Sequence, residues 1–122
     1  MLKSLIANRL SLNIMPTTIQ LYSLEKARFI IKDATKLDIS YAYEDLVFAE
    51  HGLFLLQFCN PEGTQFNCWF NHEINESEEI KMFDSLVKTA SLNTATITYK
   101  GHFSMDQHAE KEQINIQFFD TK

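Results

Sequence analysis

Cysteine, histidine and acidic side chains near the middle of this 122-residue sequence are the first candidates for chemistry. Cys68, His72 and Glu73 carry the kinds of donor atoms that bind zinc. On an extended strand, however, residues 68 and 72 lie about 13 Å apart, because each residue adds about 3.3 Å. One zinc ion with bonds of about 2 Å does not span that distance. We therefore predict no metal site.

Acid–base catalysis would need a carboxylate and a base placed together in a cleft. Glu50–His51 and His72–Glu73 are sequence neighbours, so their side chains point to opposite faces of an extended chain. The acidic residues within 76–79 are explained by the start of a helix, where negative charge is favourable. We name no catalytic residue, and the sequence leans towards a protein that is not an enzyme.

The three glycines are too far apart to build a known cofactor loop. Gly52, Gly63 and Gly101 allow no GxGxxG motif, no P-loop and no GxSxG elbow. The sequence therefore predicts no cofactor.

Charge is unevenly distributed along the chain, whose net charge is −5. Residues 1–38 hold six basic and three acidic residues, whereas residues 39–122 hold five basic and thirteen acidic ones. Because nucleic-acid binders cluster Lys and Arg to displace counterions from phosphates, we predict no nucleic-acid partner. Two interpretations stay open: a basic start packed beside an acidic body, or an acidic face for a basic partner.

The first residues lack an uninterrupted apolar run of the length found in signal peptides, and no stretch approaches a membrane span. We therefore expect no membrane association and a cytoplasmic location, where Cys59 and Cys68 stay reduced.

Hydrophobic periodicity predicts a single α+β domain over residues 1–122, with residues 1–22 left open as a semi-independent segment. An antiparallel sheet of about five strands is expected, made of a three-strand meander and a hairpin, with one central helix and N-terminal helical segments packed on it. The predicted strands are 45–50, 53–59, 65–72, 95–105 and 112–119, and the predicted helices are 1–15, 23–36 and 76–92.

The helix at 76–92 carries the clearest local signals. Asn75 is a good N-cap, and Glu78 three residues later completes a pattern like a capping box. The apolar stripe of this helix is predicted to face the sheet. Its members are Ile80, Phe83, Leu86 or Val87, and Ala90.

A second apolar face is predicted on the meander. A tight turn at His51–Gly52 places five large apolar side chains on one side of the sheet. They are Leu46, Phe48, Leu53, Leu55 and Trp69. Such a patch needs a cover, which residues 1–22, a second copy or another protein would supply. We expect a homodimer or a partner contact through this face, with Trp69 as its anchor.

Three functions follow from these features. The favoured one is a non-catalytic protein-binding module: an adaptor, an immunity-type protein or a chaperone-like protein. The second is a small-molecule binder or minor enzyme with a pocket between helix 76–92 and the sheet, lined by Phe54, Phe58, Phe70 and Phe83. The third is a structural subunit of a larger assembly.

The predicted element order over residues 24–119 resembles that of the small acidic dimeric chaperones of type III secretion. It is similar in architecture, as helix–β–β–β–helix–β–β, and not in any sequence motif. This resemblance implies a dimer that binds another protein.

Overall fold

The computed structural model describes residues 2–6, 22–108 and 113–120. Within these residues two helices pack on one seven-stranded sheet. In chain order the elements are β1 Leu2–Ile6, α1 Leu24–Thr35, β2 Ile39–Tyr43, β3 Leu46–Ala49, β4 Phe54–Phe58, β5 Gln65–Asn71, α2 Glu76–Leu92, β6 Thr96–His108 and β7 Gln113–Asp120. The predicted α+β class is confirmed, with two more strands than the five expected.

The sheet is antiparallel except at one pair. Its strand order is β1-β7-β6-β5-β4-β3-β2, and β5 and β6 run parallel. A parallel pair needs a crossover connection, and α2 supplies it between β5 and β6. The β5–β6 pair therefore departs from the predicted antiparallel sheet, and the candidate site lies beside this pair.

The predicted helix at 1–15 is wrong over the part that the structure describes. Leu2–Ile6 form β1, which pairs with β7 from Leu2 opposite Gln117 to Ile6 opposite Gln113. Residues 7–21 lie outside the described residues. A five-residue segment carries little intrinsic preference, and pairing with a neighbouring strand overrides it.

The second helix has the predicted bounds but a different rotation about its axis. Asn75 caps it, as its side chain accepts hydrogen bonds from the backbone N–H groups of Ser77 and Glu78. Leu86 and Ala90 are fully buried, whereas Ile80 is 63% exposed. The predicted burial of Ile80 is therefore wrong, and Leu86 rather than Val87 faces the core.

The first hairpin has the predicted register. Val47 lies opposite Leu56, and the turn between β3 and β4 holds His51 and Gly52 at positive φ, near 64° and 63°. These two residue types tolerate that conformation. In the next pair Phe58 lies opposite Phe66, and Leu55 lies opposite Trp69. Leu55 and Trp69 therefore share one face of the sheet, as predicted, because directly opposed residues point the same way.

The helix-covered face of the sheet carries the main core. Buried side chains of α1 and α2 pack there against β3, β4, β5 and β6. Cys68 is buried in this core, whereas Cys59 is exposed, as the opposite faces of the two residues predict. Burial raises the pKa of the Cys68 thiol, so Cys68 behaves as a small apolar residue.

The opposite face of the sheet curls onto itself. The rings of Phe48 on β3 and Phe103 on β6 lie 6.4 Å apart, although β4 and β5 separate these strands. In a flat sheet, strands three places apart are separated by about 14 Å. A Cβ on Gly52 would likewise lie 3.5 Å from Cε of Met105 on β6. Curvature therefore brings the side chains of this face together into a second core.

No helix in the described ranges has both the length and the apolar character that crossing a membrane requires.

Candidate functional site: a groove between the second helix and β6

A groove of about 670 Å³ opens between α2 and β6. Its walls combine aliphatic and aromatic side chains with three carboxylates and one imidazole. The lining residues are Ile74, Glu76, Glu79, Ile80, Phe83, Asp84, Val87, Tyr99 and His102.

Glu79 enters the groove from the side of α2 that faces the sheet. It lies seven residues before Leu86, so the two side chains share one helical stripe. The Glu79 side chain is only 12% exposed. The side of α2 that faces the sheet therefore begins with a carboxylate and continues with apolar residues such as Leu86.

Tyr99 and His102 enter the groove from β6. Tyr99 lies opposite Cys68, and His102 lies opposite Phe70. Both of these β5 residues belong to the helix-covered core. Residues three apart on a regular strand point to opposite faces, but one extra residue, Lys100, interrupts the ladder between Tyr99 and Gly101. This β-bulge turns His102 to the same face as Tyr99.

The three polar side chains form one hydrogen-bonded group. The Tyr99 hydroxyl donates to Oε2 of Glu79 at 2.5 Å, and Nε2 of His102 lies 2.9 Å from Oε1 of Glu79. The Tyr99 hydroxyl oxygen also lies 3.4 Å from Nε2 of His102. With the Glu79 carboxylate as acceptor, the tautomer of His102 that carries its proton on Nε2 completes this contact. Each oxygen of Glu79 thus has its own partner.

Tyr99 stays a neutral phenol in this setting. Burial, followed by the hydrogen bond to Glu79 and the charge of Glu79, raises the pKa of the Tyr99 hydroxyl well above its usual range. Each of these causes disfavours a phenolate, which would be desolvated and would repel the carboxylate. Tyr99 therefore acts as a hydrogen-bond donor that fixes the carboxylate.

Aromatic rings build the wall around this polar group. The rings of Phe83 and Tyr99 lie 5.5 Å apart at 74°, and those of Tyr99 and His102 lie 6.1 Å apart at 86°. Phe70 packs behind both Phe83 and Tyr99. Edge-to-face contacts of this kind are favourable and hold ring orientations fixed. The wall is therefore rigid on its inner side.

The groove differs from the pocket that the sequence predicts at the same interface. Of the four phenylalanines expected to line it, only Phe83 does so. Phe54, Phe58 and Phe70 are buried in the core, where the rings of Phe54 and Phe70 pack against each other at a tilt of 48°. These rings fill positions in the core, and the groove opens beside them between α2 and β6.

The residues predicted as a protein interface lie elsewhere. Leu46, Phe48, Leu55 and Trp69 belong to the second core on the curled face. Leu53 instead packs against the helix-covered core, because the short 3-10 turn at residues 50–52 changes the direction of the chain before β4.

Trp69 in particular contacts its own chain. It is 3% exposed, its ring lies 4.7 Å from that of Phe118, and its Nε1 donates to Oδ1 of Asp120 at 2.8 Å. A partner contact through this side chain would require the curled sheet to open. Association through this face stays a prediction.

Sequence reasoning does not predict the polar residues of the groove. It explains the acidic run that includes Glu79 by the helix start alone, and it gives His102 no role. One signal for Glu79 was present, since it continues the spacing of Leu86 and Ala90 towards the start of the helix. Within the described ranges, no group of three or more His, Cys, Asp or Glu side chains could hold a metal ion.

Comparison with known proteins identifies no relative: no family model, no curated protein and no solved structure matches this chain.

Proposed function

We propose that this chain is a non-catalytic binding protein and that its ligand, of small-molecule size, occupies the groove between α2 and β6. The observation that carries the proposal is the groove itself, whose apolar walls converge on the Glu79–Tyr99–His102 group. Its volume of about 670 Å³ lies within the range of about 300–1,000 Å³ that is typical of ligand sites.

Exposed apolar side chains on the helix side of the groove support binding. Ile80 and Val87 line it and are 63% and 37% exposed. They lie seven residues apart, or about two helical turns, so they follow one side of α2. A ligand that covers them removes apolar surface from water, which is favourable by about 25 cal/mol per Å².

The polar end of the groove supports binding through its fixed geometry. Glu79, Tyr99 and His102 hold one another in place, and Phe70 packs behind the tyrosine. A few fixed polar groups at the end of an apolar cleft are what orients a small ligand. We therefore interpret the hydrogen-bonded carboxylate, phenol and imidazole as the part of the groove that recognises and orients the ligand.

A neutral apolar fluorescent probe, N-phenyl-1-naphthylamine, tests this proposal. The wild type should bind one equivalent saturably. Val87→Trp, which fills the groove, should weaken binding by about tenfold, a loss of about 1.4 kcal/mol. Leu92→Trp is the matched control, because Leu92 lies on the same helix, is 83% exposed and does not line the groove.

Two results would contradict the proposal. One is the absence of saturable binding by a wild-type protein whose circular dichroism shows it to be folded. The other is equal weakening by Val87→Trp and Leu92→Trp, which would place the probe outside the groove.

A further inference from the structure

We infer that the ligand of this groove is an organic ammonium ion with an apolar chain, bound with its charged end between the carboxylates and the aromatic wall. This inference rests on the proposed function and adds to it the chemical class of the ligand. The class follows from the charge of the lining, from the aromatic rings and from the apolar side chains beside them.

The charge of the groove selects a cation. Glu76, Glu79 and Asp84 line it, and none of its described lining residues is Lys or Arg. Lys88, whose Nζ lies 3.0 Å from Oδ2 of Asp84, is on the exposed surface of α2 and is not part of the lining. His102 contacts Glu79 from within the lining. An anionic ligand would meet Glu76 and Glu79 with no Lys or Arg among the described lining residues to compensate their charge, and the chain as a whole carries −5.

The aromatic rings select an ammonium group on an organic molecule over a bare metal ion. Phe83 and Tyr99 both line the groove with their rings nearly perpendicular to each other. Aromatic faces set at an angle, with a carboxylate beside them, attract ammonium groups through the ring quadrupole. In the described ranges, the grouping of His, Cys, Asp and Glu needed to hold a metal ion is absent.

The aliphatic side chains that line the groove indicate that the part of the ligand beyond its ammonium group is apolar. Ile74, Ile80 and Val87 also line the groove. Ile80 and Val87 follow α2 over about two turns, a distance of about 10 Å at 1.5 Å per residue. An apolar chain of about six carbons, carrying an ammonium group at one end, matches both features of the lining.

Hexylammonium and its neutral isostere 1-hexanol test the inference. Binding is followed by the shifts of backbone amide NMR signals at Ile80 and His102. Hexylammonium should bind at least about tenfold more tightly than 1-hexanol, the difference expected for about 1.4 kcal/mol of cation recognition. Hexanoate, which has the same chain and the opposite charge, should not bind.

Two charge-neutralising variants on the first turn of α2 locate the effect. Glu76→Gln should weaken hexylammonium binding several-fold and leave 1-hexanol unchanged, because Glu76 lines the groove. Glu78→Gln makes the same change of net charge on the same helical turn, outside the lining, and should behave as the wild type.

The outcomes separate this inference from the proposed function. Equal binding of hexylammonium and 1-hexanol, or equal effects of the two variants, would overturn the cation class. The cation class is also overturned if N-phenyl-1-naphthylamine binds and hexylammonium does not. Each of these three outcomes leaves the proposed binding function of the groove intact. If hexylammonium, 1-hexanol and N-phenyl-1-naphthylamine all fail to bind, the proposed function itself fails.

Discussion

Tyr99 and His102 are three residues apart on β6, yet both side chains lie on the helix-covered face of the sheet and meet at Glu79. The extra residue Lys100 makes this possible, because it shifts the alternation of side chains by one position. Gly101, which follows it, has a backbone φ of 136°, a value that residues other than glycine rarely adopt. One irregularity in one strand therefore assembles the polar part of the groove.

Gly101→Ala should disturb this bulge. We expect a loss of about 1–3 kcal/mol in the free energy of unfolding, the usual cost of a strained backbone conformation. We also expect a shift of the His102 ring proton signals as the imidazole moves away from Glu79. Urea unfolding and NMR spectra measure the two effects, and Thr98→Ala, at an exposed position of the same strand, is the control. Unchanged His102 signals would show that the bulge does not depend on this glycine.

Tyr99 should make stability fall at alkaline pH. The folded-state pKa of its hydroxyl is raised above the value of about 10 in the unfolded chain. Its contribution to stability is therefore fully present below about pH 10 and is lost as the pH rises through the folded-state pKa. Tyr99→Phe should lose less stability above pH 10 than the wild type does, as measured by thermal unfolding across the pH range. Identical alkaline slopes would contradict the assignment.

The rotation of α2 can be tested with two neighbouring residues. Leu86 is fully buried in the core, whereas Val87 is 37% exposed at the groove. Leu86→Ala should reduce the free energy of unfolding by about 2–5 kcal/mol. Val87→Ala should cost less than about 1 kcal/mol, because its side chain already contacts water. A larger loss for Val87→Ala than for Leu86→Ala in denaturant titrations would mean that the helix is turned the other way, and equal losses would contradict the difference in burial.

Trp69 and Asp120 should be energetically coupled. The indole N–H of Trp69 donates to the carboxylate of Asp120 across the intervening strand β6. A double-mutant cycle of Trp69→Phe and Asp120→Ala should give a coupling of about 0.5–1.5 kcal/mol. Additive losses would show that the hydrogen bond contributes nothing to stability in solution. The large loss expected for Trp69→Ala alone reports burial, and so does not test this bond.

Locally determined features of the fold are predictable from the sequence. The bounds of α2 follow from Asn75 and the helical spacing after it, and the register of β3 and β4 follows from the turn residues His51 and Gly52. In both cases the residues that determine the structure lie within a few positions of one another. Neither requires knowledge of the tertiary contacts.

The candidate site depends on contacts that are distant in sequence. Glu79 and His102 are 23 residues apart, and only the crossover through α2 brings them together. A bulge of one residue at Lys100 leaves no clear sign in the apolar pattern, so the sequence does not predict that His102 and Tyr99 share a face of the sheet. The curl of the sheet is likewise a property of all its strands, and it buries most of the apolar face for which the sequence predicts a separate cover.

The pairing of β1 with β7 has a consequence for synthesis on the ribosome. Ile6 must hydrogen-bond with a strand that begins at Gln113, more than 100 residues later. At about 5–20 residues per second, translation separates the two segments by roughly 5–20 s. Residues 2–6 therefore spend that time without their native partner, and closing so long a loop makes their docking a late event in folding. A segment that is made long before its partner strand therefore reaches its place in the sheet late.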